Sequence, residues 1–137
     1  MRENIGKFRG KWIFDKSWIV GGLVNFINEK NVVTPHIFVQ LKEEERGRDS
    51  NELYDYTGYE VDPETVGEFT GLQDSNGKEI YEGDICKVRL NSEKPDAIGV
   101  IVFTRGCYYW NEYFLYEVIH ELEVINNIHD NPELLEK

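Results

Sequence analysis

The chain alternates apolar and polar residues in runs of ten or fewer, and each run is cut by residues that reverse a backbone. Lys7-Phe8-Arg9-Gly10-Lys11-Trp12-Ile13-Phe14 has the period of two expected of a half-buried strand, with only Gly10 breaking it. Asp15-Lys16-Ser17 turns the chain, and Trp18 to Phe26 reads as the returning strand, with a bulge or close backbone approach at Gly21-Gly22. Further strands are expected at 36–39, 53–61, 85–90 and 98–103, and Arg105-Gly106 turns the last of these into Cys107-Tyr108-Tyr109-Trp110. Short strands joined by tight Gly, Asn and Asp turns predict a mainly β fold, α+β with little helix.

Helix is confined to single turns. Asp62-Pro63-Glu64-Thr65-Val66-Gly67 sets a capping side chain, a proline at the first helical position, an early acid and a terminating glycine in that order. Asp130-Asn131-Pro132-Glu133-Leu134-Leu135 repeats the cap, the proline and the acid, so a short C-terminal helix is expected to dock through its leucines. Asp74-Ser75-Asn76-Gly77 marks a tight reversal. Lys42 to Glu52 has no apolar face at either period and reads as an exposed charged loop. The chain divides accordingly into an N-terminal β region, 1–60, and a second region, 61–137.

Lys and Arg number 15 against 26 Asp and Glu, a net charge of −11. That balance argues against direct nucleic-acid binding, which relies on Lys and Arg displacing counterions from phosphates, and against anionic membranes. Trp18 to Ile27, the longest apolar stretch, is too short and too interrupted to span a bilayer. With no secretory signal in the N-terminal residues, a cytoplasmic location is expected, and Cys86 and Cys107 are expected to be free buried thiols. The charge is uneven. Residues 1–30 hold six basic side chains against three acidic ones, a surplus of +3, so the other residues carry −14. Two readings fit that split: a solvated surface that is simply basic at one end, or a basic first hairpin that faces an acidic surface, in its own chain or in a neighbouring subunit.

No chemical constellation is apparent. His36, His120 and His129 lack partners at zinc spacing, and no nucleophile or phosphate-cradling motif accompanies them. His120 reads as a core or rim histidine of a final strand. Asp62, Glu64, Glu68, Glu79, Glu82 and Asp84 read as caps and bend formers rather than as acid-base or metal groups. No catalytic residue, metal ligand or cofactor is therefore assigned. Among Tyr108, Tyr109, Trp110, Tyr113, Phe114 and Tyr116, alternation sends about half inward and leaves the rest as candidate anchors for a partner. The candidate interaction surface is Lys7, Arg9, Lys11, Trp18, Tyr108 and Trp110.

Five blocks, in order, carry a resemblance. They are Lys7 to Lys11, Trp18 to Gly21, Val61-Asp62-Pro63-Glu64-Thr65-Val66-Gly67-Glu68-Phe69-Thr70-Gly71-Leu72, Gly77 to Ile85, and Glu123-Val124-Ile125 through to Leu135. Together they resemble the YopX family of bacteriophage and prophage proteins. The resemblance implies a largely β protein whose second half is similar to a small SH3-like barrel, with the N-terminal hairpin region packed on it. It also implies an origin in a phage or prophage of a bacterial host, and homo-oligomers. It carries over no catalytic residue. Asn126 stands where the family usually has Gly near a turn, and since Asn also tolerates a positive φ the turn is expected to survive there. Cys86 stands where the family tends to an aliphatic residue. The expected role is a non-enzymatic, self-associating module that binds a host or phage protein. The alternative is an acidic decoy or regulator of a host nucleic-acid-binding protein, with a carboxylate or metal enzyme third.

Overall fold

The structure is a computed structural model, and it describes residues 6–40, 56–89 and 96–135. The charged run at 42–52 lies outside them. The fold is mainly β, in two compact units, Met1–Glu68 and Phe69–Lys137. The sequence division falls at 60/61, yet residues 61–68 stay with the first unit. Val61 is completely buried there, and the Thr65 hydroxyl accepts the Lys11 amide at 2.8 Å.

In the first unit β1 (Lys7–Lys11), β2 (Trp18–Ile27), β3 (Val33–Gln40) and β4 (Tyr56–Glu60) form an antiparallel sheet in the order β4-β3-β2-β1. The first residues of β5 (Gly67–Gln73) pair on β1, Glu68 opposite Phe8 and Gly67 opposite Arg9. The β1–β2 turn is built as its residues demand. Asp15 accepts from both the Ser17 amide, at 2.9 Å, and the Ser17 hydroxyl, at 2.6 Å, while Lys16 takes a φ of 64°. Beyond β1 the chain curls toward β4. Trp12 bridges Val61, and the Ile13 amide donates to the Glu60 carbonyl at 3.1 Å. Gly10 permits this curl, because a Cβ there would lie 3.0 Å from Val61 Cβ and 3.2 Å from Ile37 Cδ1. Pro63–Thr65 forms the expected turn as a 3-10 helix, with Asp62 accepting the Glu64 amide at 3.1 Å.

The second unit contains the remainder of β5 with β6 (Glu79–Tyr81), and an antiparallel sheet of β7 (Asp84–Val88), β8 (Ala97–Thr104), β9 (Cys107–Trp110), β10 (Tyr113–Phe114) and β11 (Leu122–Asn127). Its order is β10-β9-β8-β7-β11. The expected SH3-like barrel is not closed: the described strands make an open sheet. Helix α1 (Leu115–Val118) buries Leu115 and Val118 against a core of Ile80, Cys86, Val88, Ile101, Trp110, Leu122 and Val124.

Four local expectations are corrected. Cys107 is exposed, because it ends the Arg105-Gly106 turn instead of continuing into the core, whereas Cys86 is buried. His120 is exposed on a 3-10 turn, Ile119–Glu121, which delays β11 to Leu122. Pro132–Leu135 is a 3-10 turn whose Leu134 and Leu135 remain 38% and 40% exposed, so it does not dock through them. Asn126 takes no left-handed backbone. It sits in β11 beside a bulge at Ile125, its side chain accepting the Asn127 amide at 2.9 Å.

Candidate interaction surface

Alternation along β1 puts Lys7, Arg9 and Lys11 on one face and Phe8 and Gly10 on the other. Register then decides what lies beside the cations: Lys11 pairs with Trp18, Arg9 with Val20 and Lys7 with Gly22. The Arg9 guanidinium carbon stands 4.7 Å from the centroid of the Trp18 ring, and Lys11 Nζ 5.4 Å from it. Two cations thus share one indole, in the arrangement that its quadrupole favours. Nε and Nη2 of Arg9 are enclosed, so Arg9 holds Trp18 in place while Lys7 and Lys11 define the charged margin.

The same face continues across β2, β3 and β4. Val20, Val24, Phe26 and Tyr56 lie on it, 41%, 43%, 48% and 52% exposed. Phe26 meets His36 edge-on at 4.7 Å and Phe38 at 6.2 Å. The Phe38 ring lies over Gly58, where a Cβ would come within 2.7 Å of it. The opposite face is the covered one, with Ile37 and Val61 at its centre. Ile37 and Val61 are the only hydrophobic side chains of this unit, among the described residues, that count as fully buried. A sheet of this size with so thin a core leaves much of its apolar area to solvent.

Of the six residues singled out from sequence, the structure brings Lys7, Arg9, Lys11 and Trp18 together. Tyr108 is in the second unit, half-buried, its ring 4.9 Å from that of exposed Phe103. Trp110 is withdrawn from the surface. It is 0% exposed, and its indole Nε1 donates to the Cys86 carbonyl at 3.0 Å. The cause is its pairing opposite Ile101 on the inward side of β8. Sequence reasoning missed Val20, Val24, Phe26, Phe38 and Tyr56. Apolar residues occupy both phases of β2, so periodicity alone does not say which phase turns outward.

Two of the bend-forming carboxylates are both held by Tyr81, one through its backbone and one through its side chain. Asp84 accepts the Tyr81 amide at 2.7 Å, and Glu79 accepts the Tyr81 hydroxyl at 3.1 Å. Among the described residues no three His, Cys, Asp or Glu side chains converge as a metal site. A shallow polar cavity of about 190 Å³ is lined by Lys87, Arg89, Asp96, His120, Glu121 and Glu123. Its long ion pairs, Lys87 to Glu123 at 3.8 Å and Arg89 to Asp96 at 3.7 Å, are solvated. No helix among the described residues is long and apolar enough to cross a membrane.

Comparison with known proteins agrees with the resemblance. The family model described as "YopX protein" matches residues 7–136. The crystal structure of protein EF1440 from Enterococcus faecalis is similar with a TM-score of 0.57 at 22% identity, covering 98% of this chain and 100% of that one. At that identity the likeness speaks to fold. No curated protein matches.

Proposed function

The chain belongs to the YopX family, and from that premise we propose that it is a non-enzymatic, self-associating protein-binding module, phage- or prophage-encoded and acting in the host cytoplasm. The observation that carries this reading is the outer face of the β1–β4 sheet. There Val20, Val24, Phe26 and Tyr56 form an exposed apolar field beside Lys7, Lys11 and the Arg9-clasped Trp18. Apolar area of this kind returns about 25 cal/mol per Å² when covered, and a cationic margin selects an acidic partner and sets its orientation. A second copy supplies such a partner, because residues outside the first thirty carry −14.

Sedimentation of the full chain at low and high salt tests this. The expected result is an oligomer at low salt that loosens as salt rises, and a monomer for Val24→Asp/Phe26→Asp with unchanged circular dichroism. A wild-type monomer at both ionic strengths overturns the proposal.

A further inference from the structure

The second unit carries an aromatic ladder on its own surface. Pairing of β9 with β10 sets Phe114 opposite Tyr109, and their rings lie 5.0 Å apart at 29°. Leu115 turns inward to start α1, which throws Tyr116 outward. Its ring follows Phe114 at 5.5 Å and 17° and is 67% exposed. Val102, paired with Tyr109, extends the same face and is 42% exposed. Carboxylates sit at this margin too. Glu117 accepts the Phe114 amide at 3.0 Å, and Glu112 is exposed on the preceding turn. Residues 69–137 hold six basic against thirteen acidic side chains, a net −7.

We infer that the Tyr109-Phe114-Tyr116 ladder of one copy is the seat for the Lys7/Lys11 margin of the β1–β4 face of a second copy. The inference rests on the self-association proposed above and names the surface that completes it. An exposed ring flanked by carboxylates offers a cation both a π-face and an ion-pair partner. This chain already uses the first of these where Arg9 and Lys11 stand over Trp18. Val102 opposite the Val20–Val24 field gives the contact an apolar centre. Such a contact is heterologous, joining two different surfaces, so every added copy presents a fresh ladder and a fresh basic margin and assembly runs head to tail.

The test uses two full-length variants, Lys7→Glu/Lys11→Glu and Tyr116→Lys, studied by sedimentation separately and as a mixture. Each is expected to be monomeric alone. The mixture is expected to form a one-to-one dimer and nothing larger, since each variant retains the surface the other lacks. Tyr116→Phe, which keeps the ring, is expected to assemble as wild type does. If Tyr116→Lys assembles normally while Lys7→Glu/Lys11→Glu does not, the ladder is overturned and the β1–β4 proposal stands. If both variants are monomeric and the mixture recovers nothing, the head-to-tail contact is overturned. A monomeric wild type overturns both readings.

Discussion

Asp74 Oδ2 accepts the backbone amide of Val124 at 2.9 Å, across fifty residues of sequence. The other carboxylate oxygen of Asp74 accepts the amides of Asn76, at 2.8 Å, and Lys78, at 2.9 Å, from its own turn. One buried side chain therefore closes the β5–β6 turn and satisfies the edge of β11. The Ser75 amide joins the same edge through the Leu122 carbonyl at 3.0 Å.

Burial alone would raise the Asp74 pKa. The three amides, with Val124 foremost, and the Lys78 charge outweigh it and hold the carboxyl below the usual range. A carboxyl with a depressed folded pKa adds stability that is complete above its unfolded value, about 3.9. That stability is lost as pH falls through the folded value. Asp74→Ala is expected to cost about 2–4 kcal/mol at neutral pH, because three N–H groups lose their acceptor. Asp74→Asn is expected to be less stable than wild type at neutral pH and to converge with it as pH drops below 4. Urea unfolding of both chains across pH checks this; a constant gap would sink the assignment.

Two adjacent glycines are expected to behave in opposite ways. A Cβ at Gly21 would collide with the Phe38 carbonyl oxygen, a backbone atom that cannot swing aside, whereas a Cβ at Gly22 meets nothing within 4 Å. Gly21→Ala is therefore expected to destabilise by about 1–3 kcal/mol, as overpacking does. Gly22→Ala is expected to be neutral, or stabilising by up to about 1 kcal/mol, through reduced chain entropy. Thermal unfolding of the pair decides it, and equal losses would show that both sites need flexibility rather than space at one.

What was legible in sequence was local. Asp62-Pro63-Glu64 and Arg105-Gly106 each carry their conformation within a few residues, and both turns form as read, Arg105 and Gly106 at φ 51° and 80°. What needed the fold was pairing at a distance. Asp74 was readable as a turn former, but nothing near it announces Val124. Trp110 and Tyr109 look equivalent in an aromatic run. Only the pairing of β8 with β9 sends Trp110 to the core opposite Ile101 and leaves Tyr109 beside Val102. In β2 both phases are apolar, so the exposed face of the candidate surface depended on which side Ile37 and Val61 filled.

Gly99 and Asn111 are coupled in a way that predicts a rescue. A Cβ at Gly99 would run into the Asn111 side chain, and Asn111 holds a left-handed φ of 53°. Gly99→Ala is expected to cost about 1–2 kcal/mol. In the Asn111→Gly background, which removes the obstructing amide and suits the backbone, the same substitution is expected to cost less than half as much. A double-mutant cycle by urea unfolding measures the coupling; additive effects would mean that the Asn111 side chain moves away freely.

The two cysteines separate by access. Cys86 is completely buried between strands, opposite Val124 on β11 and Gly99 on β8, with its carbonyl held by Trp110. Cys107 is exposed at the start of β9, and neither cysteine is in a disulfide. A thiol reagent attacks the thiolate it can reach, so the native chain is expected to consume one equivalent rapidly and the second only on unfolding. The rate of the second phase then reports opening of the β7–β8–β11 core. Asp74→Ala, by freeing the β11 edge, is expected to speed it at least tenfold without changing the first phase. Equal acceleration of both phases would show that the Asp74–Val124 bond guards the whole unit rather than that edge.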